Sequence, residues 1–326
     1  VAGLPGEVPL LNTKTHKNIC SLLNIKYPVI QGGMANIADH SLVSAVSNAG
    51  GLGLIGSGGW SVERIREEIH KTRAHTKKPF GLNIMLMHPE KEAIAKLACE
   101  ENIKVITTGA GNPGPFMAMW KEAGITVIPV VPSVALAKRV VRNGADAVIV
   151  EGTEAGGHVG EISTFSLVPQ TVDAVDVAVI AAGGIADTRG VNAAFALGAS
   201  GVQIGTILLA SEECPIHINY KQKIVDARDT DTIVTGRMLN APVRVLKNKM
   251  SKRYLKMSKE GIHKMELEKL TLGSHKLAVL EGDKAKGSFM AGQISGLIKR
   301  IQPVKTILSE IFDNESLCEE AKAWQK

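Results

Sequence analysis

The stretch VAVIAAGGIADTRGVNAAFALGASGVQIGT, residues 177–206, decides the fold. Its opening run, Val177–Ala182, is apolar without alternation, which reads as a strand buried on both faces. Gly183-Gly184 ends that run, and Thr188–Leu197 follows with apolar residues at helical spacing. Gly198 stands where a glycine closes a helix. A second apolar run, Val202–Ile207, then carries its own glycine turn, Gly205-Thr206. Strand, glycine turn, helix and a further strand make one parallel β/α unit.

The same unit recurs towards the N-terminus. Apolar runs of strand length lie at Pro28–Gln31, Leu52–Ile55, Phe80–Leu86, Val105–Thr108, Val127–Val131 and Ala147–Val150, which brings the count to eight. Amphipathic stretches such as Ser61–His75, Glu90–Glu101, Pro115–Ala123 and Ser133–Asn143 separate them, and Gly50, Gly124 and Gly144 precede strands as Gly198 does. This pattern predicts a (β/α)8 TIM barrel of the α/β class, with a small C-terminal helical subdomain. An open doubly wound sheet is the alternative. The expected division is an N-terminal extension over 1–18, a barrel over 19–242, a basic insertion over 243–285, and C-terminal helices over 286–326 packing back on the barrel. Within the tail, Leu246–Leu280 interrupts the unit pattern and Ser288–Phe312 is expected to return as helix.

Composition narrows the function. The chain has 326 residues, 44% hydrophobic, without the run of about 18 uncharged apolar residues that a membrane helix needs. Val1–Leu10 has no basic region and contains Pro5 and Pro9, so no signal peptide is expected. Cys20, Cys99, Cys214 and Cys318 lie far apart, which indicates neither a zinc site nor a disulfide framework; reduced cytoplasmic thiols are expected. Only 4% of residues are aromatic, which argues against stacking platforms for nucleic acid. The net charge of +6 is uneven. Val243–Lys259 holds Arg244, Lys247, Lys249, Lys252, Arg253, Lys256 and Lys259 and no acid, which reads either as a solvated helix face or as a docking patch for an acidic partner or anionic cofactor.

Barrel chemistry gathers at the C-terminal ends of the strands. There the chain places Gln31-Gly32-Gly33-Met34, Asn83, the segment EGTEAGGHVG (151–160), Gly183-Gly184, and Gln203, Gly205 and Thr206. Glycine turns after the seventh and eighth strands, with a helix N-terminus, suit a phosphate. Asn83 and Gln203 offer amide donors and acceptors that suit a planar heterocycle such as flavin mononucleotide, or else cap strand ends. His158 is the one imidazole on a glycine turn at this rim, which suits proton transfer near neutral pH.

The motifs YPVIQGGM, SNAGGLGLIG, KPFGLNIML, TTGAGNP, EGTEAGGHVGE, VIAAGGIAD and GASGVQIGT, in this order, resemble the family of flavin-dependent nitronate monooxygenases and enoyl-acyl-carrier-protein reductases II over about Ile19 to Phe312. NYKQKIVDARDTDTIVTGR, PVRVLKNK and EGDKAKGSFMAGQISGLI are similar to the reductase branch. The resemblance implies bound FMN, NADH or NADPH as co-substrate, and reduction of trans-2-enoyl groups on acyl carrier protein, the last step of the fatty-acid elongation cycle. Oxidation of alkyl nitronates by oxygen is the alternative. His158 matches the family's active-site histidine, as proton donor or positioning group. Gly32, Gly33, Met34, Asn83, Gly183, Gly184, Gln203, Gly205 and Thr206 match its flavin-binding turns, with Glu151 and Gly157 nearby; no metal is implied, and a homodimer is plausible for the family.

The sequence departs from the family pattern at four places. Asn36 stands where relatives often have Trp, Ile207-Leu208 where they have Arg-Phe, Thr188 where they have Gly, and Asn240-Ala241 where they have Gly-His. These departures motivate a third reading, a non-catalytic flavin- or phosphate-binding barrel.

Overall fold

The computed structural model describes residues 18–325. The strands are β1 Val29–Gln31, β2 Gly53–Gly56, β3 Phe80–Met85, β4 Val105–Gly109, β5 Thr126–Val131, β6 Ala147–Glu151, β7 Gly157–His158, β8 Ala178–Ala182, β9 Gly201–Ile204, β10 Thr232–Thr235 and β11 Val243–Leu246. The helices are α1 Ile19–Leu23, α2 His40–Asn48, α3 Val62–His75, α4 Lys91–Glu100, α5 Gly114–Glu122, α6 Val134–Arg142, α7 Thr164–Ala174, α8 Thr188–Ala196, α9 Thr206–Leu209, α10 Ile218–Val225, α11 Lys249–Lys259, α12 Lys264–Thr271, α13 Ser274–Lys276, α14 Val304–Phe312 and α15 Glu319–Trp324. The expected N-terminal extension lies outside the described residues except for Asn18, whose side chain caps α1.

Eight parallel strands run in the order β1-β9-β8-β6-β5-β4-β3-β2. The ring closes between β1 and β2, where Leu52 N donates to Val29 O and Gln31 N donates to Leu52 O, both at 2.9 Å. The buried side chain of Gln31 extends this seam: its Nε2 donates to Leu54 O at 3.0 Å and its Oε1 accepts from Leu54 N at 3.2 Å. This is a TIM barrel with alternating helices, as the eight apolar runs predict.

Strand side chains alternate with period two, and the alternation splits the core. Ile30, Leu54, Val105, Ile128, Ala147, Ile149, Ala178 and Ile180 fill the barrel, with Ile19, Cys20 and Leu23 of α1 in the same cluster. Val29, Ile55, Leu82, Ile106, Val148, Val179 and Val202 face the helices instead. Continuing the inward parity places Asn83, Thr107, Glu151, Ala182 and Gln203 in the last inward layer at the C-terminal rim.

Two expectations are corrected. The eighth barrel strand stops at Ile204, because Gly205 leaves the strand conformation (φ −134°, ψ −60°) and Thr206–Leu209 coils into α9. Ser288–Phe312 is helical in α-form only over Val304–Phe312, with a single 3-10 segment at Gln293–Leu297. Gly292 and Pro303 stand in the remainder, immediately before the 3-10 segment and before α14. One element was not anticipated: β10, β11 and β7 form a three-stranded antiparallel sheet outside the barrel. No helix among the described residues is long and apolar enough to cross a membrane.

Candidate active site

The strand ends enclose a cavity of about 780 Å³, and all twelve sequence-selected positions line it: Gly32, Gly33, Met34, Asn83, Glu151, Gly157, His158, Gly183, Gly184, Gln203, Gly205 and Thr206. The volume falls in the range of small-molecule and cofactor sites. Parallel register explains part of this convergence. Glu151 pairs with Ala182 and Ala182 with Gln203, so the three stand side by side on neighbouring strands.

The polar layer is incompletely satisfied. Asn83 Nδ2 donates to Thr107 Oγ1 at 2.8 Å. Gln203 is buried, and its Oε1 has no hydrogen-bond partner among the described residues. An orphaned buried acceptor aimed into a cavity is costly unless a ligand donor reaches it. Glu151 has no donor among the described residues either, and burial alone pushes its pKa up to about 7. Its remaining accessible area is cavity wall.

Glycines shape the approach. Gly183 and Gly184 adopt φ values of 97° and 76°, a backbone that side chains rarely take. The expected helix end beside them is already filled: Asp187 caps α8, accepting from Arg189 N at 3.0 Å and Gly190 N at 3.2 Å. α7 is closed likewise, with Thr164 N donating to the Glu154 carboxylate at 2.9 Å. The N-terminus of α9, at Gly205-Thr206, has no side-chain cap.

His158 sits on β7, outside the barrel strands. Its backbone is held by β11, where Val243 pairs with His158 and Arg244 with Gly157, and Val159 N donates to Pro242 O at 3.1 Å. Its imidazole is open to the cavity, yet its pKa is lowered, first by burial and then by the charge of His275. Arg244 is buried, donating from Nε to Thr153 O at 3.1 Å and from Nη1 to Thr232 Oγ1 at 3.2 Å. One residue therefore grips the Glu151–Gly160 segment by side chain at Thr153 and by backbone at Gly157. Arg244 does not belong to a surface patch, and Lys247 donates its ammonium to Thr230 O. The exposed basic residues of that run are Lys249, Lys252, Arg253, Lys256 and Lys259.

A second wall comes from the C-terminal segment. Met290 and Gly292 line the cavity, and Gln293 N donates to Glu154 O at 2.9 Å. A Cβ on Gly292 would lie 2.7 Å from that same oxygen, and one on Gly156 would lie 2.6 Å from the Ala291 carbonyl carbon. His275 also lines the cavity, with Nε2 3.0 Å from Ala35 O and Nδ1 3.3 Å from Ser288 O. Burial lowers its pKa, against the two carbonyls. His275 and Met290 escape the sequence reading, which marks Asn240-Ala241 only as a departure from the family pattern; tertiary packing brings all of them here.

The departures from the family pattern have local accounts. Asn36 and Asn240 adopt left-handed backbone (φ 59° and 54°), which asparagine tolerates. Thr188 Oγ1 donates to Ile311 O at 2.8 Å, tying α8 to α14. Leu208 is buried in the core and Ile207 packs against it.

Among the described residues Asp39, His40 and Glu68 could converge on a metal ion. Their atoms are already engaged: Asp39 caps α2, and Glu68 lies 2.6 Å from His40 Nδ1 and accepts from Arg64 Nε at 2.9 Å.

Comparison with known proteins agrees with this architecture. The family model for nitronate monooxygenase matches residues 16–102 and 90–314. The structure of FabK from Thermotoga maritima is 48% identical, with a TM-score of 0.89 over 94% of this chain and 96% of that one. A probable nitronate monooxygenase of Staphylococcus aureus is 32% identical over 90% of this chain and 96% of its own. The (3aS,4S,5R,7aS)-5-hydroxy-7a-methyl-1-oxo-octahydro-1H-indene-4-carboxyl-CoA dehydrogenase of Rhodococcus jostii is 38% identical over 70% of this chain, which spans 65% of that relative's length. The chain belongs to the nitronate monooxygenase family of flavin-dependent oxidoreductases.

Proposed function

We propose that the protein reduces trans-2-enoyl thioesters carried on acyl carrier protein, using FMN and NADH or NADPH, in the cytoplasm. The observation that carries this reading is the 48% identity to FabK, an enoyl-acyl-carrier-protein reductase II, against 32% to the nitronate monooxygenase relative.

The cavity fits FMN. Gly183, Gly184, Gly205 and Thr206 would hold its phosphate, and Asn83 and Gln203, with the orphaned Oε1, would meet the ring edge. Bound FMN would supply hydride for the β-carbon of the enoyl group. Arrival of hydride there leaves negative charge on the thioester oxygen, which a preorganised donor stabilises. His158 is such a donor. With its pKa held below the usual imidazole range it is neutral at pH 7, and it offers one N–H rather than a standing positive charge. β11 fixes its position from outside the barrel.

A second reading, oxidation of alkyl nitronates by oxygen, has the family model and the Staphylococcus relative in its favour. Anaerobic mixing of the FMN-loaded protein with NADH or NADPH separates the two. The reductase reading expects the flavin absorbance to bleach at once and to return on adding an enoyl thioester. Bleaching only by a nitronate would overturn it. A preparation that takes up no FMN would sink both enzyme readings in favour of a non-catalytic barrel.

A further inference from the structure

The cavity has two unlike sides. In the ring order, β8 stands four strands from β3, and β9 four strands from β4. The glycine turns after β8 and β9 therefore face the ends of β3 and β4 across the barrel mouth. On that far side the wall is Met85, Met87, Pro113, Pro132, Leu136 and Val140. The first four follow or end β3, β4 and β5; the last two lie on α6. Among the described residues, the only charged side chain on this side is Arg139, which is exposed. Met87 is 68% exposed, a large apolar side chain left open at a cavity edge. Such a surface is suited to an apolar ligand segment, since burying it removes methylene groups and wall from water together.

We infer that this far wall is an acyl-chain arm, and that the protein prefers thioesters of medium and long chains to short ones. The inference rests on the thioester reading above and adds the class of acyl group. A phosphate anchored at β8 and β9, with the ring edge at Gln203 and Asn83, leaves the outer β3–β5 rim and α6 to the substrate. The amides on this side are Asn112 at the β4 turn and Asn83 on β3, and Asn83 lies in the inward layer that would meet the ring edge and already donates to Thr107 Oγ1. A short enoyl group leaves the arm wetted; a longer one covers it.

The test uses the full chain loaded with FMN and saturated butyryl, octanoyl and dodecanoyl coenzyme A, with binding read from the change in flavin absorbance. Dodecanoyl should bind tighter than butyryl by about tenfold or more. Leu136→Trp should remove most of that difference by filling the arm. Should that variant lose its flavin, Met87→Glu makes the same test from an exposed position by placing a charge on the wall. Equal affinity for all three chain lengths in the parent protein would overturn the inference, as would an unchanged preference in a variant that keeps its flavin spectrum. Saturated chains need no turnover, so length-blind binding refutes the arm alone. Failure of every enoyl thioester to reoxidise the reduced protein refutes the reductase reading alone.

Discussion

Glu151 takes its charge state from position rather than from partners. Burial alone raises its pKa to about 7, and the ordinary value is 4.5. The folded form thus holds a proton that the unfolded chain releases. Its contribution to stability is full below about pH 4.5 and is lost as pH rises through about 7. Glu151→Gln removes that loss. The variant's melting temperature in the flavin-free protein should exceed the parent's by about 2 °C or more near pH 8, with the gap closing towards about pH 4.5. A gap that widens with acid would show that the carboxylate is charged and partnered. His158 has the opposite sense: its pKa is lowered, so its contribution is full above 6.5 and falls away in acid. His158→Ala should keep its flavin and reduce enoyl turnover by about tenfold or more. Full activity in that variant would end its catalytic assignment. Its residue type and glycine turn made His158 legible in the sequence. His275 was not legible, because nothing local marks a histidine that reaches the cavity from the far tail.

At the scale of elements, β11 does what charge counting misread. Arg244 stands in a run with seven basic residues and no acid, yet it is buried and grips Thr153 and Gly157. Arg244→Met should cost about 1–3 kcal/mol and speed amide exchange at Gly157–Val159, with β4 and β5 unaffected. Uniform acceleration across the barrel would mean that the residue supports the whole fold instead. The remaining charges lie on and around the exposed face of α11, a helix that packs on β10 and so stands one layer from the 240–242 turn of the cavity. Reversing Lys252 and Arg253 to Glu should raise KM for a carrier-linked enoyl substrate by about tenfold and change it little for the coenzyme A ester. Equal effects on both substrates would remove α11 as a docking surface. Amphipathic spacing made the barrel helices readable. The β7–β10–β11 sheet was not readable, since a two-residue strand such as β7 has no periodicity to detect.

Across the whole molecule, the barrel was legible because parallel strands buried on both faces leave continuous apolar runs, as in Ala147–Val150 and Val177–Ala182. Its closure was not. The β1–β2 seam has two backbone bonds and the amide of Gln31 in place of a full ladder. Gln31→Leu should leave Leu54 N–H without its acceptor and cost about 1–3 kcal/mol, with the earliest loss of exchange protection at this seam. Protection lost first at β4–β5 would place the weak point elsewhere. The clasp between Gly156 and the 291–293 segment has a consequence in time. Barrel strands are complete at Ile204, but the wall facing them is not, until the chain has been synthesised past Gly292. A nascent chain carrying all eight strands but not yet Gly292 would present an open basin, and capture of the cofactor becomes an event that follows emergence of the 291–293 segment.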